Sequence, residues 1–281
     1  MKIMTMIAAA ACAFSLTACG GGSNDGSKAL VNRADEGIWS NLNGTVPLDS
    51  GVQVVILRDG SYWGVVGYVQ SNGAGFTVHG VLHGMANVNG NSVSGTYVDF
   101  SGLGSPNGAY SGTVSSKNSL ALTFAEPANS ILTLAGSNLV MNYDASYEQP
   151  AALSAIAGSY LNKLIGSFYS HPPGGPEYYY SHLNPTISGS NLTMMDQDGN
   201  IKMTGTVTPH GTDVNVFDVR LTTAVNIPVY STTELFSTAD VPAGTVYSGI
   251  LFQTSSGILK NNIEIIATAG NSAYFYAGSK K

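Results

Sequence analysis

From Gly37 onward, short apolar runs are separated by turn-forming residues roughly every 8 to 15 positions. Within one run, Leu120, Leu122 and Phe124 alternate with small or polar neighbours, which is the period of a half-buried β-strand. The dipeptide Asp59-Gly60 follows one such run and Asp198-Gly199 precedes another, and both dipeptides are typical of hairpin turns. Regularly spaced strands with turn signals between them predict an all-β sandwich or barrel.

The strand pattern is interrupted by an Ala-rich run between Pro150 and Gly158. Leu153, Ile156 and Ala157 are spaced as one face of a helix, with Pro150 in its first turn and Gly158 just past its end. We therefore predict a short helix that plugs the end of a barrel or connects two domains.

After this helix the strand pattern starts again, and the second half looks like a diverged copy of the first. The predicted fold is two tandem small antiparallel β-barrels of about eight strands each, in residues 36–145 and 146–281. Closed barrels suit a chain with few charged residues, because they leave no exposed sheet edge to protect.

Two segments of the second half, residues 169–185 and 224–245, show no clear alternation and are predicted to be long loops. The first contains three consecutive tyrosines, Tyr178, Tyr179 and Tyr180. Tyrosine offers a large contact area for a small loss of side-chain entropy. These three rings are our candidate contact patch for a protein partner, and the alternative is that they cover an open barrel end.

Composition narrows the classes of partner and chemistry. Only 10% of residues are charged and the formal net charge is −6, so a nucleic-acid partner is not expected. The two cysteines, Cys12 and Cys19, both lie near the N-terminus, which leaves no thiol or disulfide for the predicted barrels.

The N-terminus carries Lys2 and then an apolar run from Ile3 to Leu16, too short to span a bilayer and typical of an export signal. The run ends in Leu16-Thr17-Ala18-Cys19-Gly20, which resembles the lipobox of bacterial lipoproteins. This resemblance implies a signal peptide in residues 1–18 and lipidation of Cys19, which would then be the membrane contact. Residues 19–35 are rich in Gly and Ser and are predicted to be a flexible tether. Because Gly20, and not Asp, follows the cysteine, the resemblance favours a lipid anchor at the outer membrane, on either its periplasmic or its outer face.

With the lipobox, the Gly-Ser tether and the doubled strand pattern, the chain resembles surface lipoproteins of the transferrin-binding-protein-B and factor-H-binding type. The resemblance implies a non-enzymatic binding or surface-structural role. A lipocalin-like carrier of a small apolar ligand is the alternative, because an eight-stranded barrel can hold one ligand. A periplasmic hydrolase comes third.

No catalytic, metal or cofactor motif is recognised. His79 and His83 lie in a predicted strand, where a separation of four residues is roughly 13 Å, too far for both to bind one ion. The stretch Asp196–Asn200 begins like a calcium loop, but Ile201 and Val207 stand where glycine and glutamate are required. We therefore predict no metal, no cofactor and no enzymatic activity.

Overall fold

The computed structural model describes residues 33–42, 51–69, 76–100, 107–125, 138–162, 166–170, 177–181, 183–230 and 237–281. The predicted signal peptide, Cys19 and nearly all of the predicted tether therefore lie outside the described residues. Among the described residues, no helix is both long and apolar enough to cross a membrane.

The first half of the chain forms a closed antiparallel barrel of eight strands, in which each strand pairs with the next and β1 pairs with β8. The strands are β1 (Gly37–Ser40), β2 (Gly51–Ile56), β3 (Ser61–Val69), β4 (Phe76–Asn89), β5 (Ser92–Asp99), β6 (Asn107–Ser115), β7 (Ser119–Ala125) and β8 (Asn138–Asp144). The predicted hairpin turn between β2 and β3 is present. Gly60 adopts a φ of +91°, and Asp59 accepts a 2.8 Å hydrogen bond from the backbone N–H of Ser61.

A 3-10 turn at Ala145–Glu148 and a one-turn helix, α1 (Leu153–Ile156), connect the two barrels. Ile156 is fully buried in the core of the second barrel, and its carbonyl accepts a 2.6 Å hydrogen bond from the hydroxyl of Tyr160. The predicted short helix is thus confirmed, and it plugs the second barrel.

The second half closes into another eight-stranded antiparallel barrel through the pairing of its first and last strands. Its strands are β9 (Gly158–Asn162), β12 (Asn184–Ser188), β13 (Asn191–Met195), β14 (Ile201–Pro209), β15 (Val216–Thr223), β18 (Val246–Gln253), β19 (Asn262–Ala269) and β20 (Ser272–Lys280). The predicted fold of two eight-stranded antiparallel barrels with a short helix is confirmed.

The two predicted long loops contain strands, so that part of the prediction is wrong. One segment holds β11 (Glu177–Ser181), which pairs with β10 (Gly166–Ser170), and β10 extends the sheet from β20. The other holds the hairpin of β16 (Ile227–Tyr230) and β17 (Ser237–Val241). Such short strands are held by backbone pairing and carry too few residues to show an alternation in sequence.

Large side chains fill both barrels. In the first barrel, Trp39, Tyr62, Tyr110 and Phe124 are at most 3% exposed, and the rings of Tyr62 and Tyr110 lie 5.1 Å apart. In the second, the corresponding buried aromatic residues are Tyr160, Phe217, Tyr247, Tyr274 and Tyr276.

A third apolar cluster lies between the barrels. It joins the outer faces of β2, β3 and β4, including Val55, Val65 and Val81, to the outer faces of β18 and β20, including Phe252 and Phe275. The described residues from Arg33 to Lys281 belong to one compact unit. Arg33, in the segment predicted to be a tether, binds the buried Asp35 (2.8 Å) and the carbonyl of Ala86 (2.8 Å).

Candidate functional site

A groove of about 520 Å³ lies between the outer faces of the two barrels. The first barrel contributes residues from the β2–β3 turn, β3 and β4, and the second contributes residues from β14, β15, β18 and β19. The groove adjoins the apolar cluster between the barrels, with which it shares Leu57, Trp63 and Ile250, and most of its other side chains are polar. Most of both walls is built from paired strands, which position side chains more precisely than loops do.

The wall from the first barrel carries an aromatic pair. The rings of Trp63 and His83 are stacked with centroids 3.7 Å apart, and Nδ1 of His83 lies 3.0 Å from the carbonyl oxygen of Tyr62. A carbonyl only accepts, so Nδ1 carries the proton and donates it. Burial lowers the pKa of His83, although the Tyr62 carbonyl and Asp59 oppose this shift. The ring is therefore neutral at pH 7, and its Nε2 is a hydrogen-bond acceptor.

The wall from the second barrel carries charged and hydroxyl groups. Asp218 accepts a 2.8 Å hydrogen bond from Nδ1 of His210, and the exposed Arg220 follows on the same outer face of β15. On the two neighbouring strands, Thr206 and Ser248 are the register partners of Arg220. This wall offers donors, acceptors and both signs of charge, which suits hydrogen-bonded contacts with a polar surface.

A second cavity, of about 360 Å³, lies at another part of the junction, and its charges are already paired. Arg58, in the turn after β2, binds Glu36 (3.1 Å) and also Asp213 of the second half of the chain (2.8 Å). The hydroxyl of Tyr147 donates to Glu36 (3.0 Å). Since these groups satisfy one another, we interpret this cavity as part of the structural joint between the barrels.

The residues predicted from the sequence lie elsewhere. Cys19 is outside the described residues, and Tyr178, Tyr179 and Tyr180 lie in β11, where they pair with Tyr169, Phe168 and Ser167 of β10. The tyrosines are therefore part of a hairpin at the end of the sheet and not of a loop.

Of the two candidate metal motifs, the stretch Asp196–Asn200 has a structural explanation, and His83 contacts Trp63 and the Tyr62 carbonyl, while the side chain of His79 is outside the described part of the chain. Asp196 accepts hydrogen bonds from the backbone N–H groups of Asp198 and Asn200, so this stretch is the hairpin turn that the sequence indicates. Within the described part of the chain, no group of three or more His, Cys, Asp or Glu side chains is arranged to hold a metal ion.

Sequence reasoning missed the groove because its residues come from both halves of the chain. The pairs Trp63–His83 and His210–Asp218 are each local, but only the packing of one barrel on the other places them in one cavity. One signal was available in the sequence: β2 has apolar residues on both of its faces, which indicates that its outer face packs against another part of the protein.

Comparison with known proteins identifies no family for this chain. No protein family matches it, and no curated protein matches it. Among solved structures, it is similar to isotype 1 transferrin-binding protein B from serogroup B Neisseria meningitidis. The TM-score is 0.29 and the identity 11%, over 88% of this chain and 69% of that one. The functional argument for this chain therefore depends on its own residues.

Proposed function

We propose that this protein is an outer-membrane lipoprotein, anchored through Cys19, with a non-enzymatic role in binding a protein partner. The anchor is inferred from the apolar run and the lipobox at Leu16–Gly20. One acyl chain binds a membrane only marginally and several anchor a protein stably, so the amount of lipid on Cys19 decides the attachment.

The observation that carries the binding role is the groove between the barrels. Its walls combine the Trp63–His83 pair with the polar outer face of β15, and both walls belong to one compact unit. Aromatic residues and Arg are enriched where proteins bind one another. The alternative of a small-ligand carrier finds less support, because aromatic side chains fill the barrel interiors where such a ligand would lie.

The experiment uses the intact chain in cells. We expect labelled palmitate to be incorporated into the wild type and lost in Cys19→Ala, which removes the acylated sulfur. A photo-crosslinking amino acid at Thr208, which is exposed and lines the groove, should give one discrete protein adduct. The same residue at Thr123, an exposed threonine on β7, is the matched control.

Three results separate the parts of this proposal. Wild-type protein without palmitate would exclude the anchor, whatever the crosslinking shows. Equal adducts from Thr208 and Thr123, or none from either, would exclude the groove as the contact. An adduct at Thr208 that weakens with Arg220→Ala would support it, since Arg220 lies on the same wall.

A further inference from the structure

Glu264 is a fully buried carboxyl group at the junction of the two barrels. It lies on the outer face of β19, and its Oε2 accepts a 2.7 Å hydrogen bond from Nε2 of Gln53 on β2 of the first barrel. Its Oε1 lies 3.3 Å from the hydroxyl of Thr254, which is also buried. The Gln53–Glu264 pair thus connects residues that are 211 positions apart and belong to different barrels.

The hydrogen bonds around Thr254 determine which group carries the proton. The Thr254 hydroxyl also lies 3.0 Å from the carbonyl oxygen of Leu259, which can only accept. A hydroxyl has one proton, so a Thr254 that donates to Leu259 presents a lone pair to Glu264. The contact between Thr254 and Oε1 is then a hydrogen bond only if Glu264 is protonated and donates.

The groups that face Glu264 favour the same protonation state. Its register neighbours on β18 and β20 are Phe252 and Ala277, and the facing residues Gln53 and Thr254 do not titrate. The charge that acts on it is the nearby Asp144, which opposes ionisation. No cation pairs with Glu264 in the part of the chain that the structure describes. Burial, the largest effect on this carboxyl group, raises its pKa to about 8.

We infer that Glu264 is a neutral acid that donates to Thr254 and accepts from Gln53, so that the contact between the two barrels is sensitive to pH. Ionisation would place a carboxylate without a cationic partner in a buried junction. Its Oε1 would then face the hydroxyl oxygen of Thr254, which is also an acceptor, without a proton between them. The junction is therefore expected to weaken as the pH rises.

The direction of the pH dependence follows from the pKa values of Glu264 in the unfolded and the folded protein. In the unfolded chain the carboxyl ionises near 4.5, whereas in the folded protein it keeps its proton until about pH 8. Its contribution to the free energy of unfolding is complete below 4.5 and declines as the pH rises to about 8.

The test is Glu264→Gln in the intact chain carrying Cys19→Ala, with urea unfolding measured from pH 5 to pH 9. Glutamine can accept from Gln53 and donate to Thr254 at every pH, so the variant keeps both hydrogen bonds without an ionisable group. Between pH 5 and pH 8, the folded-to-unfolded ratio of the parent should fall at least about tenfold relative to the variant.

His83 titrates with the opposite sign in part of this range, but it is present in both proteins and cancels in the comparison. The control is Glu148→Gln, the same substitution at an exposed glutamate that pairs with Lys117, and its stability should change with pH in parallel with the parent's between pH 5 and pH 8. Parallel curves for the parent and Glu264→Gln, or a variant less stable than the parent at pH 8, would overturn the inference.

Infrared spectroscopy keeps the inference testable even if Glu264→Gln does not fold. The parent at pH 7 should show the carbonyl band of a protonated carboxylic acid, and this band should disappear as the pH rises past about 8. Absence of the band at pH 7 would also overturn the inference.

Discussion

At the residue scale, two buried carboxyls at the junction of the barrels have opposite protonation states because their partners differ. Burial alone raises the pKa of both. For Asp144, hydrogen bonds from Ser255, Ser146 and Ser256 outweigh burial, so its pKa lies below the usual 3.8. Glu264 lacks such a set of donors, so for it burial prevails.

Asp144 connects the two barrels through hydrogen bonds, and we expect its replacement to lower the free energy of unfolding. It ends β8 of the first barrel and accepts from the N–H and hydroxyl groups of both Ser255 and Ser256 in the second, at 2.6 to 3.1 Å. In Asp144→Asn an amide N–H₂ replaces one of the accepting oxygens, so we expect a loss of about 2 kcal/mol in the free energy of unfolding at pH 7.

The pH dependence of this loss has a definite sign. The contribution of Asp144 is present above pH 3.8 and disappears as the pH falls through its lowered pKa. The difference between the wild type and Asp144→Asn, measured by urea unfolding, should therefore narrow toward pH 3. Asp198→Asn, in an exposed hairpin turn, is the control, and an equal cost there would contradict the assignment.

At the element scale, the strands divide into those with one buried face and those with two. On β7 the buried Leu120, Leu122 and Phe124 alternate with exposed or half-buried residues, whereas every residue of β2 is buried. The inner face of β2 fills its barrel and the outer face packs on the second barrel. A strand that is apolar on both faces therefore indicates a second contact surface.

The hairpin of β10 and β11 carries the element-scale prediction. Strand β11 is the last in its sheet, with Tyr178, Tyr179 and Tyr180 at its centre. If these tyrosines form a contact patch, replacing all three by Ser should leave the melting temperature nearly unchanged and weaken partner binding at least thirtyfold, because interface aromatics each contribute about 2 kcal/mol or more. The measurement is thermal unfolding by circular dichroism.

A large decrease in melting temperature would instead assign these tyrosines to a structural cover, because buried apolar area would have been lost. The triple replacement of Asn138, Val140 and Asn142 by Ser, at exposed positions of β8 away from the groove, provides the control for three substitutions on one strand.

At the scale of the whole molecule, each barrel has an interior core of its own, and the two share a third apolar cluster. We propose that residues 36–145 and 146–281 are domains that fold separately. Each half, expressed alone, should show a cooperative unfolding transition, at a lower temperature than the intact chain because the shared cluster becomes exposed. Mixing the halves should restore part of the lost stability.

Failure of both halves to unfold cooperatively, while the intact chain does so, would mean that the shared cluster is required for folding. The two barrels would then be one folding unit, despite their separate closures.

Much of the fold could be predicted because its signals are local. The alternation of apolar and polar residues indicates the strands, and Asp59-Gly60 indicates a hairpin turn. The spacing of Leu153 and Ile156 indicates the helix. The short hairpins in residues 169–185 and 224–245 were not predicted. They are held by backbone pairing, which leaves little trace in the pattern of side chains.

The sequence by itself determined which residues face opposite sides of each strand, but not what covers the outer side. Gln53 and Glu264 each interrupt an apolar run, and nothing local indicates that these two interruptions meet. The groove residues Trp63 and His210 are likewise brought together only by the packing of the barrels. Side-chain period is fixed by the backbone of a single strand, whereas the partner of an outer face depends on contacts between residues far apart in the chain.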